Sequence, residues 1–299
     1  MTDTIGFIGL GTMGLPMVRN LLKAKFAVTV FDMNAAAVEA AVADGAVEGT
    51  SAQAVAAEGD IIITMVPDTP DVDAVLFGDT GVANGLGSGK LVVDMSSISP
   101  DATVAFAKRI NALGCDYLDA PVSGGEVGAV TGKMTIMVGG PEAAFERARP
   151  AFDAMGSTVT LIGTRNGDGQ VCKVANQIIG AVMVNAVAEA LLFADKSGAD
   201  AVKVREALMG GAVRSFILEN HGGRMLERNF DATFRANLQR KDLNLAMEAC
   251  HKVDLVLPQA TAAWQTYNAT VANGNGDNDA ISVLKTLEAM AGHEMGDDT

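Results

Sequence analysis

The first half of the chain alternates short, continuous aliphatic runs with helix-length segments. Residues 4–8, 27–31, 61–65, 91–94 and 117–120 are short, mostly apolar runs, unbroken in Ile, Leu and Val over 61–63 and 91–93. That is the pattern of strands buried on both faces. Between them, 14–23, 35–43 and 101–113 carry helical patterns, so a parallel sheet covered by helices on two sides is expected. Strands at 134–138 and 158–162, with a helix over 142–155 between them, extend the series.

After residue 162 the period changes. Short β-branched runs stop and helical patterns continue to the end. The turn-rich Gly163-Thr164-Arg165-Asn166-Gly167-Asp168-Gly169 marks the change. A long helix is expected from there to about Ser197, stopped by Gly198, followed by helices at 201–209, 238–252, 258–272 and 280–291. Asp277-Asn278-Asp279 suits the start of the last one, and the polar tail 292–299 is expected to fray. The expected fold is therefore α/β, an open sheet domain over residues 1–163 followed by an all-α domain over 164–299. A length of 299 residues, at about 150 per domain, agrees. Residues 178–194 are almost wholly apolar, but Asn185 and Glu189 interrupt a run shorter than the roughly 20 residues a bilayer needs. A buried core helix is expected there. So apolar a helix in a small helical domain also predicts a homo-oligomer, a dimer or tetramer packed through helices.

Composition narrows the partners. Apolar residues make up 49% and charged residues 19%, which excludes disorder. The net charge of −14 repels phosphate backbones and anionic membranes, so neither nucleic acid nor membrane is an expected partner. A small anionic substrate must meet a local pocket of N–H groups or cations. Cys115, Cys172 and Cys250 are odd in number and far apart, which suits a reducing cytoplasm. His221, His251 and His293 form no ligand-spaced cluster with them, so no metal is expected. Met1-Thr2-Asp3-Thr4 has no basic region and is not read as a signal peptide.

Candidate chemistry begins at Gly9-Leu10-Gly11-Thr12-Met13-Gly14. It follows an apolar strand, opens a helix and precedes a second strand ending at Asp32, the parts of a dinucleotide-binding βαβ unit. Gly9 permits the turn, Gly11 the approach of a pyrophosphate, and Gly14 close packing of helix on strand, with the anion resting on the helix N-terminus. Asp32 fits two jobs, accepting from both ribose hydroxyls or capping the following helix. Its carboxylate repels a 2′-phosphate, and no cation follows it, so NAD is favoured with NADP as the second choice. Asp119-Ala120-Pro121-Val122-Ser123-Gly124-Gly125 offers a hydroxyl and successive N–H groups suited to a carboxylate, though Ser-Gly-Gly is also an ordinary turn. Lys173 stands on the first turns of the long helix, where the dipole and apolar neighbours disfavour a cation and fit it for proton transfer. A lysine there also fits a second reading, snorkelling to solvent. Asn176 and Gln177, at i+3 and i+4, share its face. Cys172 points elsewhere and is read as packing.

Together these segments resemble the β-hydroxyacid dehydrogenase family. The likeness is carried by Phe7 to Met17, Asp119 to Gly125, Gly167 to Gln177 and Lys241-Asp242-Leu243, in order over nearly the whole chain. Ile61 to Pro67, Asp94 to Pro100, Arg228-Asn229-Phe230 and Leu257-Pro258 add a finer match. The resemblance implies a Rossmann domain, a nicotinamide cofactor and a small carboxylate-bearing aldehyde or hydroxy acid as substrate. The reaction it implies is reduction of tartronate semialdehyde to D-glycerate by NADH, with 3-hydroxyisobutyrate or another short 3-hydroxy acid as the alternative. It further implies Lys173 as general acid/base, Ser123, Gly124 and Gly125 on the substrate carboxylate, and Asn176 with Gln177 orienting the substrate. Gly9, Gly11, Thr12, Met13, Gly14, Asp32, Val66, Pro67, Ser96 and Ser97 would hold the cofactor. Lys241, partnered by Asp242, would reach the nicotinamide. Where many relatives show Asn-Asn this chain has Asn176-Gln177. A non-catalytic dinucleotide sensor is the contrasting class, and it has no use for Lys173, Ser123 or Lys241.

Overall fold

In the computed structural model, which describes residues 3–296, the aliphatic runs of the first half pair edge to edge. Strands β1 (Ile5–Ile8), β2 (Val28–Phe31), β3 (Val47–Glu48), β4 (Ile61–Thr64), β5 (Leu91–Asp94) and β6 (Asp116–Asp119) lie parallel. Their order is β3-β2-β1-β4-β5-β6, that of the doubly wound dinucleotide fold. The far side departs from the all-parallel expectation. Strand β7 (Val122–Ser123) keeps the direction of β6, β8 (Met134–Gly139) turns back and runs antiparallel to both, and β9 (Gly156–Gly163) lies parallel to β8. The reversal arises because a short helix joins β7 to β8 as the loop of a hairpin.

The helices of this half are α1 (Gly14–Lys23), α2 (Ala35–Ala43), α3 (Ala52–Glu58), α4 (Thr69–Phe77), α5 (Pro100–Asn111), α6 (Gly125–Thr131) and α7 (Glu142–Met155). Successive strand residues feed two separate cores. Ile61, Ile63, Leu91 and Val93 pack with Met17, Leu21 and Phe152 from α1 and α7. Ile62 and Val92, one residue out of phase, pack with Val55, Leu76 and Ile110 from α3, α4 and α5. Two-sided burial explains why these strands read as continuous apolar runs. The elements β3, α3, α4 and α6 were not expected from the pattern.

The second half is helical: α8 (Asp168–Lys196), α9 (Ala201–Met209), α10 (Gly222–Leu226), α11 (Ala236–Lys252), α12 (Pro258–Thr270) and α13 (Val283–Ala291). Helix α8 spans 29 residues and ends before Gly198, whose φ of +80 suits only glycine readily. The helix is long and apolar enough to cross a membrane. Its Ala181, Val184, Ala188 and Leu191, however, are buried with Leu243, Tyr267 and Leu284 in the helical core. Asn185, in the middle of the helix, donates to Ala181 O at 2.9 Å. These are the marks of a core helix.

Contacts divide the chain at Met1–Lys173 and Val174–Thr299. The boundary expected after residue 163 thus falls inside α8, because the first turn of that helix is bonded to the sheet: Gly167 and Gln170 donate their backbone N–H groups to Asp119. The last helix opens with a 3₁₀ turn, Ala280–Ser282. The tail expected to fray from Gly292 is tied down instead. His293 Nε2 lies 2.8 Å from Asp195 Oδ2, Met295 N donates to Glu288 Oε1 at 2.9 Å, and Met295 is buried. Residues 297–299 of that tail, and Met1 and Thr2 of the stretch read as no signal peptide, lie outside the described residues.

Candidate functional site

The residues expected to hold a cofactor emerge along one edge of the sheet, at the carboxyl ends of neighbouring strands. Gly9 follows β1, Asp32 follows β2, Val66 and Pro67 follow β4, and Ser96 and Ser97 follow β5. The chain switches direction across the sheet between β1 and β4, and ligands of open α/β sheets bind at such a point. Backbone geometry explains the glycines. Gly9 has φ +98, and a Cβ there would lie 2.2 Å from Met65 O; one on Gly14 would lie 1.9 Å from Gly9 O. Nothing stands within 4 Å of the space a Cβ on Gly11 would fill. Gly11 and Thr12 are exposed while Met13 is half-buried at the start of α1. An open cradle beside a helix N-terminus suits a pyrophosphate, so the chain fits a dinucleotide here.

Asp32 does not cap α2. Asn34 does, accepting from Ala36 N at 3.1 Å. The Asp32 carboxylate instead accepts from Leu10 N at 2.6 Å and Asn34 N at 2.7 Å. Each oxygen retains a lone pair for a ribose hydroxyl. Met33 beside it is 94% exposed, and no cation neighbours it in sequence.

The loops after β4 and β5 are joined: Val66 N donates to Ser96 Oγ at 3.0 Å, and Ser96 N donates to Asp94 Oδ1 at 3.1 Å. Ser123 ends β7. Gly124 (φ +132) and Gly125 (φ +59) follow, so the Ser-Gly-Gly turn requires glycine for its dihedrals rather than for space. Lys173 is buried, with 9% of its surface exposed, against the solvent-snorkelling reading.

In the helical unit the expected residues form a chain of contacts. Asn176 Nδ2 donates to Gln177 Oε1 at 2.7 Å. Gln177 Nε2 donates to Asp242 Oδ2, and Lys241 Nζ lies 2.9 Å from Asp242 Oδ1. The longer Gln177 side chain thus links α8 to α11 with both ends of its amide engaged. Cys172 is a half-buried free thiol. Among the described residues no group of three His, Cys, Asp or Glu side chains is placed to hold a metal.

Sequence reasoning gave no role to three buried polar residues: Thr64, Asp94 and Gln170. Thr64 Oγ1 donates to Asp94 Oδ1 at 2.9 Å. Gln170 donates to Ser96 O at 2.8 Å and accepts from Ile98 N at 3.2 Å. Burial pushes Asp94 up to about 6 against the bonds it accepts from Ser96 and Thr64. The available signal was position: a carboxylate closing an aliphatic strand, and a glutamine inside an apolar helix start.

Residues 4–163 match the family described as the NAD binding domain of 6-phosphogluconate dehydrogenase. Residues 167–287 match the one described as NAD-binding of NADP-dependent 3-hydroxyisobutyrate dehydrogenase. The chain is similar to 2-hydroxy-3-oxopropionate reductase of Escherichia coli K12, 50% identical over 97% of this chain and 99% of that protein. It is similar to 2-(hydroxymethyl)glutarate dehydrogenase of Eubacterium barkeri at 39% identity, over 96% of each. Among solved structures, 3-hydroxyisobutyrate dehydrogenase of Mycobacterium tuberculosis with L-serine matches with a TM-score of 0.87 and 33% identity, covering 96% of this chain and 99% of that one.

Proposed function

The chain belongs to the β-hydroxyacid dehydrogenase family of nicotinamide-dependent oxidoreductases, and from that premise we propose that it reduces tartronate semialdehyde (2-hydroxy-3-oxopropanoate) to D-glycerate with NADH. The observation that carries the substrate is the 50% identity to the Escherichia coli reductase over 97% of the chain. The preference for NADH rests on Asp32 and the absence of a cation beside it.

In this reading Gly9, Gly11, Thr12, Met13 and Gly14 hold the pyrophosphate, Asp32 the adenosine ribose, and Val66, Pro67, Ser96 and Ser97 line the nicotinamide half. The bound cofactor supplies a hydride to the aldehyde carbon. Ser123 with the N–H groups of Gly124 and Gly125 clamps the substrate carboxylate, and Asn176 with Gln177 orients the substrate. Lys241, its charge balanced by Asp242, would reach the nicotinamide. Lys173, as an ammonium, hydrogen-bonds the aldehyde oxygen and donates its proton as negative charge builds there; in oxidation it takes the proton back. Stabilising that oxygen away from water is the larger contribution, and fixing carbonyl against hydride donor supplies much of the rest.

The enzyme is proposed to work in the cytoplasm as a homodimer or homotetramer. Supporting the assembly, Ile179 and Phe193 on α8 and Met290 on α13 are 59%, 73% and 77% exposed, too much apolar surface on a core helix to face water without purpose. The function is tested by following NADH oxidation with tartronate semialdehyde against a panel of short semialdehydes. Turnover highest with tartronate semialdehyde is expected; a strong preference for another member removes the substrate assignment.

A further inference from the structure

Strand β6 ends in a carboxylate that none of the binding roles uses. Asp119 is fully buried. Its Oδ1 accepts from Gly167 N at 2.7 Å and its Oδ2 from Gln170 N at 2.9 Å. These donors belong to the opening turn of α8, where the first backbone N–H groups have no partners within the helix. Gly167 stands where a capping side chain would and has none. The cap therefore comes from a different element, and glycines make room for it: a Cβ on Gly139 or on Gly169 would come within 2.8 Å of a carboxylate oxygen.

Gln170 extends the link. Its side-chain bonds to Ser96 O and Ile98 N, and the bond from Val66 N to Ser96 Oγ, continue the chain of contacts. One set of bonds thus runs from β6, through the first turn of α8, to both loops assigned to the cofactor. Lys173 follows Gln170 by one turn of the same helix.

We propose that Asp119 is a positioning residue: as a carboxylate it fixes the first turn of α8, and with it the Lys173 amine, relative to the cofactor loops at Val66 and Ser96. The proposal rests on the reading of Lys173 as the proton donor. Protonation would place a hydroxyl against one of the two N–H groups and remove half of the cap. Burial pushes Asp119 up to about 6, opposed by the two N–H bonds and assisted by the Asp94 carboxyl. The titratable groups around it are Asp94 on β5, Tyr117 on β6 and Asp168 on α8, the last paired with Arg165 at 2.9 Å; β8 presents backbone at Gly139. Tyr117 is pushed well above its ordinary value by burial, so Asp94 is the neighbour that titrates in the same range.

The first test needs no substrate. In the wild-type protein, the amide proton resonances of Gly167 and Gln170 are followed by NMR between about pH 5 and 8, and both are expected to titrate together with a midpoint near 6, the value of Asp119. The titration should persist in Asp94→Asn, shifted downward, and vanish in Asp119→Asn. With whichever short semialdehyde the enzyme turns over, Asp119→Asn should lower kcat about tenfold to a hundredfold, the scale of a misplaced reacting group. It should also flatten the acid limb of kcat and leave the Kd for NADH within about twofold. Amides that do not titrate in the wild type, or an Asp119→Asn enzyme with full kcat and the same acid limb, would overturn the proposal. Full turnover by Lys173→Ala would instead remove the reading beneath it while leaving the amide titration in place, so the two failures are told apart.

Discussion

The Asp32 carboxylate holds the backbone N–H of Leu10 at 2.6 Å, so the residue just past the second strand grips the glycine turn that follows the first. In the proposed reading one position then serves two ends, shaping the glycine turn and receiving the ribose. Asp32→Ala should weaken NADH binding by about 2 kcal/mol, the scale of a hydrogen bond to a charged group. That is roughly thirtyfold in Kd. The same change removes the charge that repels a 2′-phosphate, so the ratio of NADPH to NADH affinity should rise. Fluorescence titration with both cofactors reads both effects, and an unchanged ratio would count against Asp32 as the discriminator.

Gly11 and Gly14 make opposite predictions although they belong to one motif. A methyl group on Gly14 would collide with Gly9 O at 1.9 Å, and the neighbour is backbone that cannot swing away. Gly14→Ala should lower stability measurably. Gly11→Ala meets nothing within 4 Å, so its melting temperature should match the wild type while NADH affinity drops, because the new methyl occupies the space through which the pyrophosphate approaches. Thermal denaturation paired with cofactor titration separates the two.

Lys173→Ala tests the chemistry. NADH affinity should be kept, and kcat should fall at least about a hundredfold, the low end for loss of a general acid. Single-turnover measurement at saturating NADH isolates the step. Near-normal turnover would take Lys173 out of the mechanism.

The sheet was legible because parallel strands buried on two sides write themselves as unbroken aliphatic runs, as at Ile61-Ile62-Ile63. Helix α4 was overlooked although its start is marked: Asp68 and Asp71 form a reciprocal capping box with Pro70 beside it, a local signal independent of hydrophobic period. Helix α3 likewise has a cap, Ser51 accepting from Ala54 N, but its alanines leave little periodicity to read. Motif residues such as Gly9 and Asp32 could be named from spacing, since each answers a local demand. Asp119 and Gln170 lie within recognisable motifs but show no role in the sequence, because their partners lie 51 and 74 residues away. The fray expected at Gly292 failed for the same reason: Asp195 and Glu288 hold the tail through contacts that polarity alone does not reveal.

The exposed apolar residues of α8 make the assembly testable. Phe193→Asp, at a position 73% exposed, should leave the melting curve of dilute protein nearly unchanged and shift the molecular mass measured by light scattering toward that of a single chain. An oligomer that persists in Phe193→Asp, Met290→Asp and their combination would place the interface elsewhere. A single-chain mass for the wild type at micromolar concentration would remove the assembly altogether.

Acid should act on the two units through carboxylates shifted in opposite directions. Asp94 and Asp119 are raised to about 6 by burial. Between their unfolded value near 4 and about 6 the folded state binds more protons than the unfolded chain, so lowering the pH through 6 does not cost stability through them. Asp279 is the reverse. Burial raises it, but bonds from Thr233 Oγ1 at 2.7 Å and from the N–H groups of Thr233, Phe234 and Ile281 outweigh that and hold it below the ordinary carboxylate value. Its contribution is complete above the unfolded value near 4 and is lost as the pH falls through the lower folded value. Arg224, 3.1 Å away and 15% exposed, then loses its partner. The melting temperature should therefore hold or rise slightly from pH 7 to 5 and fall steeply below about 4. Asp279→Ala should cost about 3 to 5 kcal/mol at neutral pH, the scale of breaking a buried ion pair from one side, and should soften the acid collapse. Calorimetry across that range decides it: an Asp279→Ala protein that melts with the wild type at pH 7 would show that this carboxylate does not hold the helical unit together.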